Sequence, residues 1–197
     1  MSDSVPDPVA CAVVILVAMS SAGIAHALWM RSRCSARFGM PIDGGIVWRG
    51  RRLLGDNKTV RGLVMLPLAA GAAFALLGQA RETLPAGMAA GLWPWQSAEL
   101  FALGAWAGLC FMAGELPNSF YKRRRGIAPG TVPVAGAQRM LCLALDRIDS
   151  TAAMLLGIAL VAPLHWQSAA LVFLFGPLIH FGFSAALFAL GVKARMA

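Results

Sequence analysis

PVACAVVILVAMSSAGIAHALWM, Pro8 to Met30, contains no Asp, Glu, Lys or Arg. A bilayer-spanning helix needs about 20 consecutive, mostly apolar residues, and this run meets that length. Working outward, Gly62 to Ala80 reads GLVMLPLAAGAAFALLGQA, again without charge. Pro67 inside it is tolerable, because neighbouring membrane helices can satisfy the carbonyl it frees. A third span is predicted from about Ala98 to Asn118, with Glu115 close to the end of its apolar block. Between Asp149 and Lys193 the uncharged sequence is interrupted by Pro163, His165, Trp166 and Gln167, which predicts two helices joined by a short polar turn. The fourth span then reaches bilayer thickness only by starting near Arg139, which places Asp146 and Asp149 within it. The Pro-, Gly- and Trp-rich stretch Glu82 to Trp95 suits a loop at the membrane interface, where indole rings prefer to sit. The expected fold is all-α, a polytopic membrane bundle of about five transmembrane helices forming one domain over residues 1–197.

Composition agrees. Hydrophobic residues make up 58% of the chain and charged residues 13%, against roughly a quarter charged in soluble domains. The net charge of +8 sits between apolar blocks rather than on a soluble face, so nucleic acid is excluded as a partner and anionic headgroups or a nucleotide are favoured. Cys11, Cys34, Cys110 and Cys142 lack metal-ligand spacing and read as small apolar residues. Met1 to Asp7 is acidic where a signal peptide is basic, so the first span is expected to be retained. The loop Arg31 to Arg61 holds eight basic residues and Lys122 to Arg147 holds six. By the positive-inside rule both loops are cytoplasmic, the N-terminus is outside and the C-terminus inside. The expected location is the cell membrane, multi-pass, with motif loops at about 31–61 and 119–139 facing the cytoplasm.

Three segments carry chemistry. In Pro41 to Gly62, PIDGGIVWRGRRLLGDNKTVRG, glycines allow backbone N–H groups to approach an anion, and Arg51, Arg52, Lys58 and Arg61 can neutralise phosphate charge. Topology alone explains basic residues but not Asp56, Asn57 and Thr59 packed around Lys58. In Gly114 to Ile127, GELPNSFYKRRRGI, Glu115, Ser119 and Lys122 share a face if the helix persists, and an intramembrane carboxylate marks a functional site by default. Arg124 and Arg125 read as snorkelling residues at a helix end. In Leu145 to Ser150, LDRIDS, Asp146 and Asp149 stand i, i+3 on one side, with Arg147 pointing away. Two such carboxylates repel without a cation between them, and oxygen donors of this kind suit Mg2+. His165 and His180 read as structural.

These segments resemble the integral-membrane CTP-transferases of phospholipid synthesis, most closely the CDP-archaeol synthase family. Pro41-Ile42-Asp43-Gly44-Gly45 and Gly55-Asp56-Asn57-Lys58-Thr59-Val60-Arg61-Gly62 match its loop motif. Gly114, Ser119, Phe120, Lys122, Arg123, Arg124, Gly126 and Ile127 match its second motif, with Glu115 where the family has Asp. The related phosphatidate cytidylyltransferases end in S-x-x-K-R and L-D-R-[IL]-D-S, reproduced by Ser119, Lys122, Arg123 and Leu145 to Ser150. The residues after Gly-Ile, APGTVPVAGAQRM, depart from those enzymes in lacking an acidic residue and His-Gly-Gly. The resemblance implies transfer of CMP from CTP to a membrane lipid phosphate, giving a CDP-lipid and pyrophosphate, with Mg2+ required. It implies a metal on Asp146, Asp149 and Glu115 and catalytic roles for Lys58, Lys122, Asp146 and Asp149. Asp43, Arg51, Arg52, Gly55, Asp56, Asn57, Thr59, Arg61, Ser119 and Arg123 would bind substrate. A homodimer is left open. The rival readings are a CTP-dependent lipid-alcohol kinase and a non-catalytic membrane lipid-binding or transport protein.

Overall fold

The computed structural model describes residues 5–129, 131 and 136–189. The helices are α1 Pro8–Met30, α2 Val60–Gln79, the short α3 Ala86–Ala89, α4 Ser97–Arg124, α5 Ala137–Val161 and α6 Trp166–Ala189. A small antiparallel hairpin, β1 Val47–Trp48 with β2 Arg51–Arg52, rises from the first basic loop. The tail with Lys193 and Arg195, loop residues 132–135 and the side chains of Arg147 and His180 lie outside the described residues.

The first predicted span and α1 coincide at both ends. Asp7 starts the helix by accepting the Ala10 N–H at 2.9 Å, and Pro8 occupies a first-turn position where its missing N–H costs nothing. Helices α1, α2 and α4 are long and apolar enough to cross a membrane, and the stretch Trp166–Ile179 of α6 is a shorter apolar helix. Leu28, Leu76, Leu156, Leu160, Leu174 and Leu178 are exposed on the outside of the bundle. So much apolar surface is expected against lipid rather than water. Helix α5 starts at Ala137, early enough to hold Asp146 and Asp149 as expected.

Small residues set the helix spacing. A Cβ added at Gly104 would stand 2.5 Å from the Ala70 carbonyl oxygen, and one at Gly108 would stand 2.8 Å from Pro67 Cα. The pair is a Gly-x-x-x-Gly stripe that lets α2 and α4 pack backbone to backbone. At Gly114 a Cβ would meet the Asp149 carbonyl oxygen at 2.8 Å. That close approach brings the carboxylates of α5 to the polar end of α4.

Within the Pro-, Gly- and Trp-rich stretch Glu82 to Trp95, Trp93 is buried in the bundle itself; it packs 6.4 Å from Phe74 between ring centres and donates its Nε1–H to the Pro163 carbonyl at 2.9 Å. The indole fills the end of the bundle farthest from the basic loops (its outer end), and its polar atom finds a carbonyl at the α5–α6 turn, which offsets the cost of burial.

Candidate active site

The first basic loop is organised around Asp43. Its buried carboxylate accepts the N–H groups of Gly45, Leu54 and Gly55 and pairs with Arg52 at 2.7 Å. Burial by itself would raise its pKa, but the hydrogen bonds from Arg52, Leu54, Gly45 and Gly55 outweigh that and hold it well below the usual carboxylate range. Arg52 also pairs with the exposed Asp56 at 2.6 Å. Gly55 has φ +110, where an L side chain is strained, and a Cβ there would meet Pro129 at 2.9 Å. Asp43, Arg52, Gly55 and Asp56 therefore build the loop, which delivers Asn57, Lys58 and Thr59 to the bundle.

Helix α4 persists to Arg124, so Glu115, Asn118, Ser119 and Lys122 do share a face. Glu115 takes the Lys58 ammonium and accepts the Ser150 hydroxyl at 3.3 Å. Asn118 donates to Asp146 at 2.6 Å and to Asp149 at 3.0 Å, and Lys122 pairs with Asp146 at 2.5 Å. One polar chain thus runs from Lys58 through Glu115, Ser150, Asp149, Asn118 and Asp146 to Lys122. Beside it, Arg123 is 6% exposed and its Nε and Nη1 have no hydrogen-bond partner among the described residues. Arg61, in the first turn of α2, lies against Gly39 and likewise has an unpartnered Nε.

The reading of Arg124 as a snorkelling residue is overturned. Its guanidinium donates to the carbonyls of Trp48, Arg51 and Arg52 at 2.5, 3.1 and 2.7 Å and sits over the rings of Trp48 and Phe120. Arg51 returns a hydrogen bond to the Arg124 carbonyl. A planar fork with five donors can bind several acceptors at once, which is why Arg124 clasps the hairpin to α4. Arg125 is exposed and rests over Tyr121.

A cavity of about 540 Å³ enters the bundle from this end. Its inner wall is apolar, with Ile15, Leu66, Phe111, Met154 and Val172, and its mouth is formed by His26, Asn57, Lys58, Thr59 and Glu115. From Ile15 to Met30 along α1 it spans roughly 20 Å at 1.5 Å per residue. Asn118, Lys122, Arg123 and Asp146 are not on its wall.

Sequence reasoning passed over Asn118, Ser150 and His26. Asn118 stood in the signature's variable positions, yet its helical spacing from Glu115 and Lys122 marked it. His26 was hidden inside the first span, where an ionisable residue is itself a signal.

The implied Mg2+ fits part of the expected ligand set. Asp146 and Asp149 converge on one amide, and Asn118 Oδ1 is a buried oxygen with no partner among the described residues. Glu115 is occupied by Lys58 and Asp146 by Lys122, and among the described residues no three of His, Cys, Asp and Glu are grouped to hold one ion, so Mg2+ on Asp146 and Asp149 would replace the Lys122 contact. Two carboxylates suffice, because Mg2+ keeps waters and uses substrate phosphates as further ligands.

Fold and site together define a polytopic helical membrane protein with a cluster of buried polar and basic side chains at one end of an apolar cavity. The family described as CarS-like CDP-archaeol synthase matches residues 11–196. A CDP-archaeol synthase of Halorubrum lacusprofundi is 33% identical over 79% of this chain and 82% of its own. Another, of Pyrococcus furiosus, is 32% identical over 68% of this chain and 79% of its own. No solved structure matches the chain. The chain belongs to the CDP-archaeol synthase family, and so to the membrane nucleotidyltransferases of phospholipid biosynthesis.

Proposed function

We propose that this protein transfers CMP from CTP to a membrane lipid phosphate, and that the two ends of its polar chain divide the work. Lys58, with Asn57 and Thr59, receives the lipid phosphate at the cavity mouth while the lipid chains occupy the apolar interior. Lys122, Arg123 and Arg61 neutralise the triphosphate, with Ser119 beside them on the buried face of α4. Asp146 and Asp149 would hold Mg2+, which when bound supplies charge neutralisation at the phosphates. A lipid phosphate oxygen attacks the α-phosphorus of CTP in line; the new P–O bond forms as the bond to pyrophosphate breaks. No protein nucleophile is needed, and catalysis is by positioning and electrostatics. Glu115 acts as the counter-ion that keeps Lys58 at the mouth. Asp43, Arg51, Arg52, Gly55 and Asp56 shape the loop that carries it. The site faces the cytoplasm from the cell membrane, a reading supported by the positive charge of the two loops that flank it.

The observation that carries the reading is Arg123, a buried guanidinium whose Nε and Nη1 have no partner among the described residues. Burying a cation without a counter-charge is expensive, and an anionic ligand removes that cost. The test incubates purified protein in detergent with labelled CTP, Mg2+ and a panel of diacyl- and dialkylglycerol phosphates together with the corresponding unphosphorylated lipid alcohols. CDP-lipid with equimolar pyrophosphate is the expected result. Release of CDP with a phosphorylated lipid alcohol would establish the kinase instead.

A further inference from the structure

His26 stands on α1 one turn before Met30, within a helix that is otherwise apolar or small at this depth. Its ring lines the cavity mouth together with Asn57, Lys58, Thr59 and Glu115. Its Nε2 is sealed from solvent and makes no hydrogen bond among the described residues, so a turn of the ring about its own axis is what brings an N–H to the cavity. Neither charged neighbour pairs with the ring: Lys58 contacts Glu115, and Glu115 also accepts from Ser150. Buried polar atoms are costly to leave unpaired, and ionisable residues inside membrane helices face substrate paths as a rule.

We propose that His26 is a positioning residue for the lipid substrate, its imidazole N–H donating to an oxygen of the lipid phosphate headgroup while Lys58 carries the charge. The assignment rests on the cytidylyl-transfer reading and adds a contact that neither motif loop supplies. The lipid rather than the nucleotide is favoured because the wall behind His26 is apolar, whereas Asn118, Lys122, Arg123 and Asp146 lie off that wall. An imidazole suits this depth because it can donate a hydrogen bond while remaining neutral.

The test compares wild type with His26→Leu, which removes the donor, and His26→Gln, which restores one. In steady state, His26→Leu should raise KM for the lipid phosphate roughly tenfold, as loss of a hydrogen bond to a charged group does. KM for CTP should stay within about twofold, and His26→Gln should recover much of the loss. A parallel arm without CTP or Mg2+ measures thermal stabilisation in detergent by diacyl- and dialkylglycerol phosphates, against the same lipids without phosphate. Wild type should be stabilised selectively by the phosphorylated lipids, and His26→Leu much less so. If wild type makes no CDP-lipid, the transfer reading fails, while this binding arm still decides the contact. If His26→Leu does not fold, His26→Asn, which keeps polarity but shortens the reach, takes its place. Equal lipid KM and equal stabilisation in wild type and variant would overturn the proposal, as would a matching rise in KM for CTP or no selective stabilisation of wild type.

Discussion

The two ends of the bundle treat polar atoms in opposite ways. At the outer end Asp7 caps α1, Trp93 donates to Pro163, Arg81 donates to the Trp93 carbonyl and Ser168 donates to the Pro8 carbonyl at 2.8 Å. Each of these groups is satisfied by the protein itself. At the inner end His26, Arg52, Arg61, Asn118, Arg123 and Arg124 all keep a buried side-chain atom without a partner, and among the described residues every such atom belongs to this end. The outer end is finished by folding; at the inner end Arg52 and Arg124 are held in the loop by their other nitrogens, while His26, Arg61, Asn118 and Arg123 keep binding capacity in reserve, which is the expected mark of a site that takes a highly charged substrate.

The largest effect that could break this comparison comes from Asp149. Asp149→Asn preserves shape while removing a charge, so turnover should fall by about 100- to 1000-fold with the Mg2+ dependence lost. The melting temperature in detergent should hold or rise, since one of two neighbouring carboxylates is neutralised. Normal turnover with a normal Mg2+ titration would remove Asp149 from the site.

A paired experiment sharpens the contrast. Arg123→Met should cost about 100-fold in activity yet raise the melting temperature, because it removes a buried unpaired charge. Trp93→Ala, at the outer end, should do the reverse. It should destabilise by about 3–5 kcal/mol, with activity per folded molecule nearly unchanged. The comparison fails if the two variants move activity and stability in the same proportions, measured by thermal unfolding beside CDP-lipid formation.

Within the basic run the effect should be graded. Arg124→Ala releases the hairpin from α4 and should raise KM for substrate several-fold with a smaller change in kcat. Arg125→Ala should change either constant by less than about twofold, because an exposed cation over a ring contributes little. Equal effects from both, sensitive to salt, would favour a diffuse electrostatic role over a clasp.

The long helices, three of them apolar enough to cross a membrane, the gathering of charge at one end and the three motif segments were legible in the sequence. Each depends on neighbours along the chain: a run of about 20 apolar residues, a Lys and Arg asymmetry, a carboxylate pair at i, i+3. The partners of those charges were not legible. Asp43, Arg51 and Arg52 all looked like substrate contacts, yet they hold one another or the Arg124 carbonyl. Glu115, expected on the metal, meets Lys58. His26 looked like part of a plain span until α2, α4, α5 and α6 closed a cavity around it. Such pairings join residues dozens of positions apart and depend on how closely the helices approach, which glycines such as Gly108 and Gly114 set by contact distance. Sequence alone determined that this chain crosses a membrane and concentrates positive charge at one end. The tertiary structure decided which of those charges are spent on the fold and which remain for a ligand, because burial and pairing are properties of packed surfaces rather than of local sequence.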